Sequence, residues 1–179
     1  EVADSARPYA FEQRLQYRTD AKRRMAAVAR KLVQPGQTVM LDGGTTTYYL
    51  AQELLGTSLQ IVTNSLPIAS LYQNAEHVEL VLPGGVVYPR YGILLGPATE
   101  AMIGSIHAQT LFLSVAGLRE SSLYNQNMLL VQAERKMIEQ SQRSVLLIDS
   151  DKFGQQALVK LGELSSIDTI ITNAEPPPE

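Results

Sequence analysis

The residues best suited to chemistry lie in one run at positions 42–47, Asp-Gly-Gly-Thr-Thr-Thr, directly after a short apolar stretch. The two glycines let the backbone approach a ligand closely, and the three threonines place hydroxyls and N–H groups at the start of a helical pattern. A helix N-terminus favours anions because its unpaired N–H groups and its dipole both attract negative charge. The run therefore predicts a phosphate or sulfate site, with an ordinary threonine-capped strand-to-helix turn as the alternative.

Polar residues also follow two later strand-like stretches. Thr63 and Asn64 close one of them, and the Asn64 amide could both donate to and accept from a hydroxylated ligand, although Ser65 beside it is a good helix cap. Gly84 and Gly85 either bring backbone N–H groups to the same pocket or simply turn the chain. Arg90 suits bidentate binding of a phosphate and is equally compatible with an exposed surface position.

A third group of polar residues, Asp-Ser-Asp-Lys at 149–152, follows another strand-like stretch. Lys152 could neutralise an anionic ligand, or act in acid–base chemistry on a sugar if burial lowered its pKa. A salt-bridged loop is the alternative. Glu134 lies within a helical pattern over 127–142, and by itself it is interpreted as an exposed helical residue.

Strand-like runs that alternate with helical patterns must position these residues. The alternation predicts βαβ units and a mostly parallel, doubly wound, Rossmann-like α/β sheet with helices on both faces. The predicted strands are 38–41, 59–63, 77–82, 111–115, 144–148 and 169–172, and a helix with Asp20 as its N-cap precedes them. Residues 86–96 predict a small extended, Gly-rich excursion with the form of a hairpin. Because ligands bind beyond the carboxyl ends of parallel strands, the loops at 42–47, 63–65, 83–90, 116–119 and 149–152 should meet.

Composition excludes several classes of protein. The 179 residues include no Cys, which excludes disulfides, thiolate zinc sites and iron–sulfur clusters, and two His that lie far from any ligand-type cluster, so no metal site is expected. A Walker P-loop, a Gly-x-Gly-x-x-Gly turn and a Gly-x-Ser-x-Gly elbow are all missing. No apolar run approaches the roughly 20 residues that cross a membrane.

Charge is unevenly distributed along the chain. Residues 1–31 carry eight Lys or Arg against four Asp or Glu, a net charge of +4, whereas the remaining residues carry 7 against 14, a net charge of -7. The acidic body argues against a nucleic-acid platform. We interpret the basic segment as solvated helix charge rather than as a surface that contacts phosphates. The predicted organisation is an arm or linker at 1–19, one domain at 20–173 and a tail at 174–179.

The order of the motifs adds a further signal. Phe-Glu-Gln-Arg at 11–14 is followed by Lys-Arg-Arg-Met-Ala at 22–26, the run at 41–47, Val-Thr-Asn-Ser at 62–65, Pro-Gly-Gly at 83–85, residues 149–154 and residues 167–173. This order resembles the C-terminal sensor domain of DeoR-type bacterial transcriptional repressors. The resemblance implies a fold related to ribose-5-phosphate isomerase and coenzyme A transferases, no catalysis, no cofactor, a cytoplasmic homo-oligomer, and no membrane contact. Operator DNA would be bound only by a separate N-terminal winged helix-turn-helix, and the start at Glu1 rather than Met suggests that this part precedes the present chain.

The resemblance also implies the ligand, a phosphorylated sugar or related metabolite, and most of its site. With Arg90 added from its chemistry, the candidate ligand-binding residues are Asp42, Gly43, Gly44, Thr45, Thr46, Thr47, Thr63, Asn64, Gly84, Gly85, Arg90, Glu134 and Lys152. The chain departs from the family pattern at Asp151, where a Ser or Thr is common, and at 123–127, which lack a Gly-Thr-type turn. An acid beside Lys152 would lower the affinity for phosphate if both side chains face the pocket.

Two other functions are compatible with the same residues. One is a sugar-phosphate isomerase-like enzyme that uses Lys152, Asp149 or Glu134 as acid–base groups. The other is a domain that only dimerises.

Overall fold

The computed structural model describes residues 10–174; residues 1–9 of the predicted arm and residues 175–179 of the predicted tail lie outside this part. Its helices are α1 (Phe11–Gln16), α2 (Thr19–Arg30), α3 (Thr45–Glu53), α4 (Leu66–Tyr72), α5 (Pro97–Ile103) and α6 (Met128–Glu139). Its strands are β1 (Thr38–Leu41), β2 (Leu59–Thr63), β3 (Val78–Val81), β4 (Val86–Tyr88), β5 (Ile93–Leu95), β6 (Ala108–Leu113), β7 (Gly117–Arg119), β8 (Ser122–Asn125), β9 (Ser141–Ile148), β10 (Val159–Glu163) and β11 (Thr169–Thr172). None of the helices in this described part is long and apolar enough to span a membrane.

A six-stranded sheet in the order β11-β9-β6-β1-β2-β3 forms the centre of the fold, and every neighbouring pair in it is parallel. The chain runs outward from β1 to β3, returns to the other side of β1 as β6, and continues to β9 and β11. The predicted mostly parallel, doubly wound α/β fold is confirmed. The direction of winding reverses between β1 and β6, and the crevice at such a reversal is where open α/β sheets bind ligands.

The sheet is buried on both faces because successive residues of a strand point to opposite sides. Val39 and Leu41 of β1 pack with Met25 of α2 and Leu50 of α3 in one core cluster. Met40, between them, packs in a second cluster on the other face with residues of α6. The two clusters fix β1 between helical layers, so the loop that follows β1 leaves the sheet from a rigid position.

The segment before the sheet is more structured than its sequence indicates. Residues 11–16 form α1, and Phe11 is buried with its ring edge-to-face against Tyr48, with a centroid distance of 5.7 Å. The prediction of Asp20 as the N-cap of the next helix is wrong: α2 begins at Thr19, after Arg18 in the left-handed conformation with φ 52°. The single left-handed residue joins two short helices that the sequence pattern does not separate.

A second, three-stranded antiparallel sheet, β10-β8-β7, has no counterpart among the predicted strands. The sequence predicts a loop at 116–119, where β7 lies. Strands of three to five residues give too little alternation to be recognised, although Leu118 and Leu123 are buried in the core. By contrast, the hairpin expected within 86–96 is confirmed as the antiparallel pair β4 and β5.

Candidate functional site

A cavity of about 740 Å³ opens at the carboxyl edge of the large sheet, beyond the ends of β1 and β6. Its walls come from the loops after β1, β6 and β9, from the end of β8, from α6, and from α1 and α2. The predicted meeting of the loops 42–47, 116–119 and 149–152 therefore holds in part, since Asp42, Ala116 and Lys152 all line it. No residue of the loops at 63–65 and 83–90 lines this cavity.

The Asp42 carboxylate organises the loop after β1 and joins it to the loop after β6. Its Oδ1 accepts hydrogen bonds from the Gly44 N–H at 2.8 Å and from the Thr47 hydroxyl at 2.6 Å. Its Oδ2 accepts one from the Ser114 N–H at 2.6 Å. Burial raises the pKa of Asp42, and the hydrogen bonds from Thr47 and Ser114 oppose this shift. With its lone pairs occupied by the protein, Asp42 holds the two loops in place.

Gly43 and Gly44 allow the tight packing of this loop. A Cβ on Gly43 would lie 2.2 Å from Cγ2 of Ile93, and a Cβ on Gly44 would lie 2.0 Å from Oγ of Ser114. The first backbone bond of α3 runs from the Tyr48 N–H to the Gly44 carbonyl. Within residues 10–174, the N–H groups and hydroxyls of Thr45 and Thr46 therefore have no protein partner, and both residues line the cavity.

Glu134 lies on α6 at the opposite wall and is almost fully buried. Both of its carboxylate oxygens accept from Nδ2 of Asn125, at 2.7 and 2.8 Å, while Oδ1 of Asn125 accepts from the Ala116 N–H at 3.0 Å. Burial raises the pKa of Glu134 well above its ordinary value, the negative charge of Asp42 raises it further, and the bond from Asn125 opposes both. The interpretation of Glu134 as an exposed helical residue is wrong.

Three cations face the cavity: Arg14, Lys22 and Lys152. In the part of the chain that the structure describes, none of them forms an ion pair with a carboxylate. The Lys22 ammonium donates to the main-chain carbonyl of Arg14, and the Arg14 guanidinium lies over the ring of Tyr91, 5.6 Å from its centroid. Nε of Arg14 is buried without a hydrogen-bond partner. Burial lowers the pKa of Lys22 to about 8, and repulsion by Arg14 contributes to this shift.

Two acids at the mouth are neutralised by a fourth cation. Arg18 pairs with Asp149 at 2.6 Å and with Asp151 at 3.2 Å, and the Tyr17 hydroxyl lies 3.3 Å from Oδ2 of Asp151. Asp151 and Lys152 both line the cavity, so the condition for the expected loss of phosphate affinity is met. The ion pair with Arg18 offsets the negative charge of Asp151, the position at which the family pattern commonly has a Ser or Thr.

The structure separates the predicted site residues into two groups. Those that line the cavity are Asp42, Gly43, Gly44, Thr45, Thr46, Glu134 and Lys152. Those that do not are Thr47, Thr63, Asn64, Gly84, Gly85 and Arg90.

Each residue of the second group makes an identifiable contact within the fold. Thr47 donates to Asp42, Thr63 Oγ1 accepts from the Ser65 N–H, and Asn64 donates to the Leu94 carbonyl. The Gly84 carbonyl accepts from the Thr99 hydroxyl, and Gly85 packs so closely that a Cβ would lie 2.1 Å from Oγ1 of Thr99. The Arg90 carbonyl accepts from the Phe11 N–H.

Sequence reasoning missed Arg14, Lys22, Ser114 and Asn125. The interpretation of the basic segment as solvated helix charge is wrong for Lys22, which is 6% exposed. A signal was available for it: Lys22 falls three and four residues before Met25 and Ala26, on the apolar face of α2. Arg14 has no such signal because α1 is too short to show a period.

Comparison with known proteins identifies the family of this chain. The profile described as the DeoR C terminal sensor domain matches residues 17–174. The chain belongs to this family. The HTH-type transcriptional regulator UlaR of Shigella dysenteriae serotype 1 (strain Sd197) is 35% identical over 161 residues, which are 89% of this chain and 63% of that regulator. UlaR of Escherichia coli (strain K12 / DH10B) matches to the same extent. The sensor domain therefore spans less than two thirds of the length of these curated relatives.

Solved structures resemble the sensor domain at lower identity. The delta subunit of eIF2B from Chaetomium thermophilum has a TM-score of 0.63 and 14% identity, over 89% of this chain and 58% of that one. Ribose 5-phosphate isomerase A from Methanocaldococcus jannaschii has a TM-score of 0.54 and 19% identity, over 75% of this chain and 54% of that one. These likenesses show the fold alone, and they confirm the predicted relation to ribose-5-phosphate isomerase. The family is described as a sensor domain, and these relatives are named as transcriptional regulators.

Proposed function

We propose that the sensor domain binds a phosphorylated sugar or a related phosphorylated metabolite in the cavity beyond the carboxyl ends of β1 and β6. One observation carries this proposal: Arg14, Lys22 and Lys152 face the cavity without a carboxylate partner in residues 10–174. Buried cations are costly unless a counter-charge is present. A dianionic phosphate supplies that charge.

The phosphate group is placed at residues 43–46, at the start of α3. Thr45 and Thr46 offer hydroxyls and N–H groups that have no partner in the described part of the protein, and the helix dipole adds a favourable field. Arg14 lies close enough to Asp42 for their charges to interact, so its guanidinium is near the same loop. Lys22 and Lys152, which interact with each other electrostatically, would then meet the phosphate or a second anionic group of the ligand.

The remaining lining is suited to hydroxyl groups. Ser114, Asn125 and the side-chain amides of Gln13 and Gln126 supply uncharged donors and acceptors around the cavity. A volume of about 740 Å³ falls in the range of small-molecule sites. The similarity in fold to an enzyme named for a sugar phosphate is consistent with such a ligand.

The role of the whole protein is proposed from its relatives. They are named HTH-type regulators, and the family is described as the C-terminal sensor domain. We therefore propose that a separate helix-turn-helix part binds operator DNA, and that ligand binding to the sensor domain of a homo-oligomer modulates that binding.

A thermal-shift screen tests the ligand class directly. Phosphorylated sugars should raise the melting temperature, and the same sugars without phosphate should not. A ligand at about 100 times its Kd adds roughly 2.7 kcal/mol, which corresponds to a shift of about 5–10 °C for a domain of this size. Lys152→Ala should reduce the shift, whereas Lys160→Ala, which removes an exposed pair with Glu163, should leave it unchanged.

Two results would overturn the proposal. No shift with any phosphorylated sugar would favour a domain that only dimerises. Aldose–ketose phosphate interconversion that Lys152→Ala abolishes would restore the isomerase alternative.

A further inference from the structure

The helices before the sheet form one wall of the ligand cavity. The lining residues from this segment are Gln13 and Arg14 of α1, Tyr17 directly after α1, and Lys22 of α2. A site built only from the carboxyl edge of the sheet would lack two of its three cations. Gln13 and Arg14 line the cavity only while α1 is docked.

No carboxylate of the described residues forms an ion pair with the positive charges that α1 and α2 bring to the cavity. The Arg14 guanidinium keeps a buried Nε without a partner, and the Lys22 ammonium meets only a carbonyl from the described part of the chain. The two positive charges repel each other, and Lys152 adds to the repulsion on Lys22. An anion in the cavity would replace this repulsion by attraction across the interface between α1 and the sheet.

Both ends of α1 are attached to the body by identifiable contacts, and Leu15 packs against the core cluster that contains Met25 and Leu50. Phe11 packs against Tyr48, its N–H donates to the Arg90 carbonyl at 3.1 Å, and the Tyr49 hydroxyl donates to the Leu15 carbonyl at 3.1 Å. The helix is joined to α2 through Arg18, whose left-handed conformation costs roughly 1–2 kcal/mol in a residue that carries a Cβ. The ion pairs of Arg18 with Asp149 and Asp151 fix this joint beside Lys152.

We propose that the anionic ligand is bound directly by Arg14 and Lys22, and that its binding fixes α1 against the sheet, so that the helix before the sheet reports whether the cavity is occupied. This inference rests on the proposed function and adds to it a route by which occupancy of the cavity is transmitted. Because α1 precedes the sheet in the sequence, a change in its docking changes where the chain enters the domain. Arg18 is the joint about which α1 is held or released.

The test uses inorganic phosphate as the probe and the full 179-residue chain. Calorimetry measures phosphate binding, and amide hydrogen exchange measures the protection of α1 with and without phosphate. The variants are Arg14→Gln and Lys22→Met, with Arg24→Gln and Arg24→Met as matched controls. Arg24 is exposed on α2, only two residues from Lys22, and its side chain forms no hydrogen bond or ion pair with the described residues. Melting temperatures without phosphate confirm that every variant is folded.

Phosphate should slow exchange in α1 of the wild-type chain and of both Arg24 variants. Arg14→Gln and Lys22→Met should each weaken phosphate binding about tenfold or more, as expected for a charged hydrogen bond, and should lose the protection of α1. Unchanged affinity in these two variants would overturn the inference and leave the phosphate site at 43–46 intact. Phosphate binding without any change in α1 exchange would overturn the transmission. Absence of phosphate binding to the wild type would overturn both this inference and the proposed function.

Discussion

The amide nitrogen Nδ2 of Asn125 lies 2.7 Å from one carboxylate oxygen of Glu134 and 2.8 Å from the other. This single donor is the only hydrogen-bond partner that the described residues give to a buried carboxyl group. Asn125 is in turn held by the Ala116 N–H, so β8, α6 and the loop after β6 are joined through one polar chain. The cavity wall therefore carries a titratable carboxyl group, Glu134, whose charged form is stabilised by only this one donor among the described residues.

Glu134→Gln should reveal this as a pH-dependent difference in stability. Because the pKa of Glu134 is raised in the folded state, the folded protein takes up a proton at a pH where the unfolded chain does not. The destabilisation due to the buried charge thus disappears as the pH falls from the raised pKa toward the ordinary value of 4.5. The free energy of unfolding of the wild type, relative to Glu134→Gln, should increase over this interval in denaturant titrations.

The control for this titration is Glu53→Gln, an exposed carboxyl on α3. A constant difference for Glu134→Gln would contradict the raised pKa.

Neighbouring threonines on α3 should separate binding from stability. Thr46 lines the cavity and has no protein partner for its hydroxyl in the described residues, whereas the Thr47 hydroxyl is buried against Asp42. Thr46→Val should weaken binding of a phosphorylated sugar by about tenfold and leave the free energy of unfolding nearly unchanged. Thr47→Val should lower that free energy by about 1–3 kcal/mol because Asp42 loses a donor. Isothermal calorimetry and urea unfolding of both variants measure the two effects, and the reverse pattern would contradict the assignment.

A pair of glycines tests the packing of the loop after β1. Gly44→Ala should destabilise the protein by about 1–3 kcal/mol, since its Cβ would overlap Oγ of Ser114 and approach Oδ1 of Asp42. Gly84→Ala is the matched control, because a Cβ there meets nothing within 4 Å. Urea unfolding should show a lowered midpoint for the first variant only. Equal effects would mean that the loop adjusts freely to a side chain.

The sequence predicts best where a signal is local. The strand at 59–63 and the glycine–threonine run at 42–47 are recognisable because a buried apolar run and a helix start each leave a pattern of adjacent residues. The strands β7 and β8 and the helix α1 are short and owe their structure to packing on the rest of the fold. Propensity alone cannot identify elements of this length.

The same limit explains which site residues were recognised. A run of glycines and threonines indicates in the sequence that the backbone can approach a ligand closely. Lys22 and Asn125 reach the cavity only because α2 and β8 pack around it. Thr63 and Asn64 follow a strand of the sheet, where the sequence predicts ligand-binding residues. In the structure Thr63 Oγ1 accepts from the Ser65 N–H, and Nδ2 of Asn64 donates to the Leu94 carbonyl. Which neighbour satisfies a polar group at a strand end is decided by tertiary contacts.

Lys22 should set the alkaline limit of anion binding. Its pKa of about 8 in the unliganded protein means that the ammonium loses its proton as the pH rises through that value. An anion binds the charged form, so affinity should be constant below pH 8 and fall up to about tenfold per pH unit above it. Sulfate is the probe, because it keeps its charge over this range, whereas inorganic phosphate loses a proton near neutral pH and would add a second transition.

Lys22→Arg provides the matched comparison for this pH profile, since a guanidinium keeps its charge throughout the range. The affinity of this variant for sulfate should not fall as the pH rises through 8. Lys22→Met should bind sulfate more weakly than the wild type below pH 8, show no transition near 8, and approach the wild type at the alkaline end, where Lys22 is neutral. Calorimetric titrations from about pH 6.5 to 9.5 on the three proteins measure these profiles. A transition near pH 8 that persists in Lys22→Arg would show that another group controls anion binding.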